Sequence, residues 1–239
     1  MKSLSYFELM GFGPQGWGPV MLQATGITVV LSICGFLLGN IFGSLAATAK
    51  LGNSPLLRTL SGGYINIIRG VPELVLIYIT FFETGTILTA IATCFGHTQP
   101  VFLPSFAVGV FALAIISGAY LAEVFRAAFL SIHKGELEAA KSVGMHQWLM
   151  FKRIIVPQVL RYAIPGIGNI WQFVLKESAL VSVVGITEIL RQTKIGAGST
   201  KQPFTFYATA ALLYILIAVF SGFIFRKIEK WSLRGIRRA

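Results

Sequence analysis

Arg69, Glu73, Glu83 and Glu123 stand in or beside stretches of sequence that are otherwise apolar. An acidic side chain in hydrocarbon is costly and marks a functional site by default, because a carboxylate facing a water-filled cavity attracts a cation. Arg69 supplies the complementary chemistry, since a guanidinium can meet a carboxylate through two parallel hydrogen bonds. Each has a plainer alternative: Glu73 pairs with Arg69 at i+4, Glu123 pairs with Arg126 at i+3, and Glu83 reaches the outer membrane surface. Glu73 is the first choice, because it follows Pro72, where a kink leaves backbone carbonyls free to line a cavity. No Gly-x-x-x-x-Gly-Lys-Ser/Thr segment exists to cradle ATP phosphates. Asp is absent and no His falls within an apolar run, which removes the paired groups an intramembrane enzyme would use. His97, His133 and His146 lack metal-ligand spacing and no Cys joins them, so neither a metal nor a cofactor is expected. Cys34 and Cys94 lie far apart in apolar surroundings and imply no disulfide framework.

The elements that must position these residues are membrane spans. Of 239 residues, 55% are hydrophobic and 12% charged, and the mean hydropathy is +0.74. That composition fits neither a soluble domain nor a disordered chain. The net charge of +11 suits nucleic acid in principle, but in so apolar a chain basic residues mark cytoplasmic loops, and no nucleic-acid partner is expected. Uncharged runs of about 20 residues place spans at 22–48, 59–82, 104–126, 157–176 and 202–225. The second is interrupted by Arg69 and Glu73, with Pro72 set to kink it or divide it. Arg161 lies close enough to one end of the fourth to snorkel. The expectation is therefore an all-α, polytopic membrane protein with five transmembrane helices, forming a single domain over 1–239. The first run lacks a basic leader and a cleavage site, so it reads as a permanent span.

Loop charge orients this arrangement. Thirteen basic residues fall between spans one and two, between spans three and four, and in the tail, against five on the other side. That places the N-terminus outside and the C-terminus in the cytoplasm. The basic end, Lys227 to Arg238, then reads as an anchor on anionic lipid. Residues 176–201 are more basic than an external loop should be. Within them Ser178 to Ile186 is apolar but too short to span, which predicts a short helix folded back at the membrane against protein or cavity. With Lys176-Glu177, this segment is placed at an outer gate by position.

The loop at 131–156 carries the most information. Leu137, Ala140 and Gly144 share one helical face, and Gly144 suits the end of that helix. Trp148, Phe151 and Ile155 recur at helical spacing on a second short helix before Pro157. Such a pair forms either an amphipathic hairpin resting on headgroups or a knob inserted into another protein. Glu138-Ala139-Ala140, three residues, Gly144, nine residues, Ile154, one residue and Val156-Pro157 resembles the E-A-A-x3-G-x9-I-x-L-P loop of bacterial ATP-binding-cassette importer permeases, with Val156 in place of Leu. Arg69-Gly70-Val71-Pro72-Glu73-Leu74 is similar to the R-G-x-P-x-L segment of the polar amino acid subfamily. Leu175-Lys176 with Ser178-Ala179-Leu180-Val181-Ser182, and Gln202-Pro203-Phe204, extend the likeness over roughly residues 20 to 230. Within that subfamily the chain looks most like histidine, lysine, arginine and ornithine permeases and the related opine permeases.

The resemblance implies a permease subunit in the bacterial inner membrane that imports a polar amino acid, or an opine, by alternating access. It implies three protein partners: a dimeric ATPase docked through Glu138, Ala139, Ala140, Gly144, Ile154 and Pro157, a second and homologous permease, and an extracytoplasmic substrate-binding protein. Carboxylates in the cavity would favour a basic substrate. The competing reading is a self-sufficient secondary transporter or channel, but no inverted repeat is visible among the spans and that reading gives the cytoplasmic knob no purpose.

Overall fold

A computed structural model describes residues 6–14, 16–96 and 99–233. Lys2, His97, Arg234, Arg237 and Arg238 lie outside the described residues. Among the described residues ten α-helices follow one another: α1 (Tyr6–Leu9), α2 (Gly18–Leu51), α3 (Pro55–Gly70), α4 (Glu73–Cys94), α5 (Ser105–Leu130), α6 (Lys134–Ser142), α7 (Gln147–Met150), α8 (Val156–Glu177), α9 (Ile189–Thr200) and α10 (Pro203–Ser232). A π-helical turn, Phe151–Ile155, joins α7 to α8, and a 3-10 segment, Ser178–Val184, leads from α8 toward α9. No strand occurs among the described residues.

The most extensive contact joins α2 to α5. Gly35, Gly39 and Gly43 fall on one face of α2 at i, i+4 and i+8, and each abuts α5. A Cβ on Gly39 would lie 2.0 Å from Ser117 Oγ, and one on Gly43 would lie 2.6 Å from Leu121 Cβ. Small residues with this spacing let two helix backbones approach closely, which is how helices associate in a solvent as apolar as their own side chains. Leu31, Ala114, Ser117, Ala119, Leu121 and Ala122 are consequently fully buried.

Among the described residues four helices, α2, α4, α5 and α10, are long and apolar enough to cross a bilayer. The expected fourth span coincides with α8, which at 22 residues is about 33 Å long. It is less apolar than those four because polar residues such as Arg161, Asn169 and Gln172 interrupt it, and it buries only one side, through Ala163, Trp171, Val174 and Leu175. The stretch at 59–82 is two helices. Val71 is extended, and Pro72 caps the following α4, because proline has no N–H to continue the ladder of α3. α3 packs on the central pair by hydrogen bonds from Ser61 Oγ to the Ala46 carbonyl at 2.6 Å and from Tyr64 OH to the Ile115 carbonyl at 2.7 Å.

The stretch after α8 folds back. Gly185 takes a φ of +100, a turn glycine adopts without strain, and redirects the chain into α9. Val181, Val184 and Ile186 pack in the same core as Leu31, Val110 and Leu113. Glu188, fully buried, caps α9 by accepting from the Arg191 amide at 2.8 Å and also accepts from Tyr214 OH at 2.8 Å. Thr28 Oγ1 accepts from the Ile189 amide at 3.1 Å, so polar bonds fasten the fold-back to both α2 and α10.

A test follows from the α2–α5 contact. Gly39→Val overpacks it and should cost about 1 to 3 kcal/mol, lowering the thermal aggregation midpoint in detergent. Gly62→Val, where an added Cβ meets nothing within 4 Å, should leave that midpoint within a degree or two. Equal midpoints for the two variants would refute the close-packing account.

Candidate functional site

The loop between α5 and α8 is built around α6. His133 begins it and the carboxylate of Glu136 accepts from the Gln158 side-chain amide, tying α6 to the start of α8. The helix ends as Gly144 was expected to end it. The Gly144 amide donates to the Lys141 carbonyl at 3.0 Å and the Met145 amide to the Ala140 carbonyl at 3.1 Å, with Gly144 at φ +76. These two bonds make a Schellman cap, which needs a left-handed residue at this position.

Ala140 is buried, whereas Glu138, Ala139 and Gly144 are exposed. Glu138 forms no ion pair with Lys141 or any other described residue. Val143 and Trp148 are 76% and 67% exposed, and the Trp148 ring stacks on Phe151 at 5.8 Å. The expected second short helix is present as α7, which carries Trp148, whereas Phe151 and Ile155 fall in the π-turn that follows it. α7, capped by His146 Nδ1, runs through the π-turn into α8 as one helical stretch. The widened turn lies just ahead of Pro157, which cannot donate to a preceding carbonyl and would crowd it in a regular helix. Ile154 is half-buried in this turn and Pro157 is exposed.

A second group of polar residues lies at the break between α3 and α4. Tyr120 OH, from α5, donates to Glu73 Oε1 at 3.0 Å. The Arg69 guanidinium sits 5.5 Å from the centroid of the same Tyr120 ring, a cation–π arrangement. Phe173 of α8 packs on that ring at 4.8 Å. Arg69 and Glu73 therefore form no direct ion pair: the helix break removes the i+4 register, and Tyr120 engages both. Glu177, at the end of α8, interacts electrostatically with Glu73 and has its Oε2 buried with no hydrogen-bond partner. One cation and two carboxylates thus approach from three helices.

The remaining two candidates do not join this group. Glu83 is exposed on α4. Glu123 accepts from Lys50 Nζ at 2.7 Å and from the Arg126 guanidinium at 2.9 and 2.7 Å. The pairing with Arg126 was expected; the bond to Lys50, from α2, was not legible because it joins residues 73 positions apart. Tyr120 and Glu177 are likewise not among the substrate candidates that the sequence offers. Glu177 carried a signal, a carboxylate near the end of an apolar run, whereas Tyr120 carried none.

Together these features define a helical membrane protein with a protruding loop on one side and a charged cluster at a broken helix. The family model described as "Binding-protein-dependent transport system inner membrane component" matches residues 39–233, and the chain belongs to that family. It is thus a membrane component of a transport system and not an enzyme. The octopine transport system permease protein OccQ of Rhizobium radiobacter is 47% identical over 235 residues, covering 98% of this chain and 99% of the relative. The histidine/lysine/arginine/ornithine transport system permease protein HisQ of Escherichia coli is 36% identical over 224 residues, covering 94% and 98%. A crystal structure of an amino acid ABC transporter with histidines superposes with a TM-score of 0.76 at 29% identity, covering 90% of this chain and 94% of that one.

The Schellman cap can be checked directly. Gly144→Val places a β-branched residue at positive φ, costing about 1 to 2 kcal/mol. Hydrogen exchange at the Gly144 and Met145 positions should accelerate by roughly fivefold or more, with no change in α5. Unchanged exchange would mean that the cap does not hold the end of α6.

Proposed function

We propose that this chain is the permease subunit of an ATP-driven importer that moves a basic amino acid or an opine into the cytoplasm by alternating access. The observation that carries the reading is the exposed α6, held in shape by its cap and presenting an unpaired Glu138 beside the small Ala139. In this account Glu138, Ala139, Ala140 and Gly144, with Ile154 and Pro157 at the joint to α8, form the docking surface for a separate ATPase dimer. Closure of that dimer moves α6. Because α7 continues into α8 without a break, the displacement passes to the membrane helices as a rigid-body motion.

The substrate path runs by Arg69, Glu73 and Glu177. Arg69 receives the substrate carboxylate bidentately, while Glu73, held by Tyr120, and Glu177 take its cationic groups. Two carboxylates against one guanidinium favour a substrate with more positive than negative charge. The name of the histidine/lysine/arginine/ornithine relative supports that substrate class. Glu83 and Glu123 have lesser parts, Glu123 as a clasp between α2 and α5.

In the membrane, α8 serves as a fifth span alongside α2, α4, α5 and α10, with the N-terminus outside and the C-terminus in the cytoplasm. A second, homologous permease completes the path, and an extracytoplasmic binding protein delivers substrate.

ATP-dependent uptake tests this reading in proteoliposomes that hold the chain with its partner permease, ATPase and binding protein. Radiolabelled arginine, histidine, glutamine and octopine are compared. Wild type should import a basic amino acid or octopine, with glutamine at background. Gly144→Asp should reach the membrane yet neither retain the ATPase nor transport. Glu73→Gln should keep the ATPase and lose at least tenfold in uptake, the scale expected when a charge-assisted bond worth about 1.5 to 3 kcal/mol is removed. Uptake without the ATPase would instead establish a self-sufficient transporter.

A further inference from the structure

At the end of the bundle that carries Arg226, Lys227 and Lys230, α8 and α10 line a groove of about 590 Å³. Val156, Pro157, Leu160 and Ile164 form its apolar wall on α8, and Trp231 and Ser232 close it from α10. Arg161 projects into this setting, half-buried, and makes no hydrogen bond or ion pair with any described residue. Among the described residues, no carboxylate lines the groove. Lys227 lies one helical turn before Trp231 on the same face of α10 and is exposed. Arg226 is already engaged, its guanidinium 4.5 Å from the Phe223 ring.

A half-buried guanidinium against an apolar wall is costly without a counter-charge. The groove thus asks for a ligand that is anionic at one end and apolar at the other. Its position specifies the source. α10 is long and apolar enough to cross a bilayer, and its exposed Leu212, Ile215, Leu216, Val219 and Phe220 form an apolar surface on the helix that borders the groove, which suits contact with lipid. Trp231, 69% exposed, has the amphipathic ring that settles at headgroup depth.

We propose that the α8–α10 groove is a discrete binding site for one phospholipid with an anionic headgroup, whose phosphate meets Arg161 and Lys227 and whose acyl chain lies along Val156, Leu160 and Ile164. This differs from diffuse attraction of a basic tail to a charged surface, because it assigns the selectivity to Arg161, a residue of α8. The bound lipid would sit where α8 leaves the π-turn, at the joint between the protruding loop and the membrane helices.

Brominated-lipid quenching of Trp231 fluorescence tests the site. The assembled importer is placed in nanodiscs of phosphatidylcholine containing graded fractions of brominated phosphatidylglycerol or brominated phosphatidylcholine, and the Trp231 signal is isolated by difference from Trp231→Phe. Half-maximal quenching should require a roughly fivefold lower fraction of phosphatidylglycerol than of phosphatidylcholine, as expected for one basic side chain at an anionic lipid. Arg161→Gln should erase that preference and Arg161→Lys should retain most of it, while both still assemble with the ATPase. Equal quenching by the two lipids, or a preference that survives Arg161→Gln, would overturn the proposal. Relief of quenching by millimolar inorganic phosphate would show a soluble-anion site instead. Absence of Trp231 quenching in the assembled importer, with quenching in the chain alone, would show that a protein subunit covers the groove.

Discussion

The fold depends on how closely α2 and α5 approach. In hydrocarbon the lipid tails solvate a leucine as well as another helix does, so association must come from tight van der Waals packing and shared polar contacts. Gly35, Gly39 and Gly43 remove the side chains that would hold the helices apart, and Leu113, Ser117 and Leu121 fill the space left. The other elements are arranged on that pair. α3 bonds to backbone carbonyls of both helices, the fold-back packs Ile186 against Gly109, and Lys50 at the end of α2 clasps Glu123 of α5.

This rigid centre lets the chain carry irregular backbone elsewhere. A helix broken at Val71-Pro72 and a reversal at Gly185 both leave polar backbone groups at risk of being unpaired, and such segments are tolerated at membrane depth only where protein or a cavity covers them. The fold-back meets that condition through Glu188, Thr28 and Tyr214, which join residues far apart in the chain by hydrogen bonds. At the other break the cover is partial, and there Arg69, Glu73, Tyr120 and Glu177 converge. Irregularity and charge coincide because both require surroundings that are not hydrocarbon.

The sequence by itself determined the class, most of the long helices and the family. Spans are legible because a lipid solvent demands long uncharged runs, and Pro72 and Gly144 are legible because a missing N–H and a positive φ are local properties of single residues. The motif around Glu138 and Gly144 was readable for the same reason. What only the tertiary structure decided was every relation between helices. Composition leaves α8 short of a span's hydropathy, because polar groups such as Arg161, Asn169 and Gln172 count equally whether they face protein, a groove or lipid. Arg69 and Glu73 look like an i+4 pair until the break sets Tyr120 between them, and Glu123 acquires Lys50 from across the bundle. Such contacts are set by how closely two backbones approach and by the rotation of each helix about its axis. Both are consequences of packing the whole bundle, and no local window of sequence contains them.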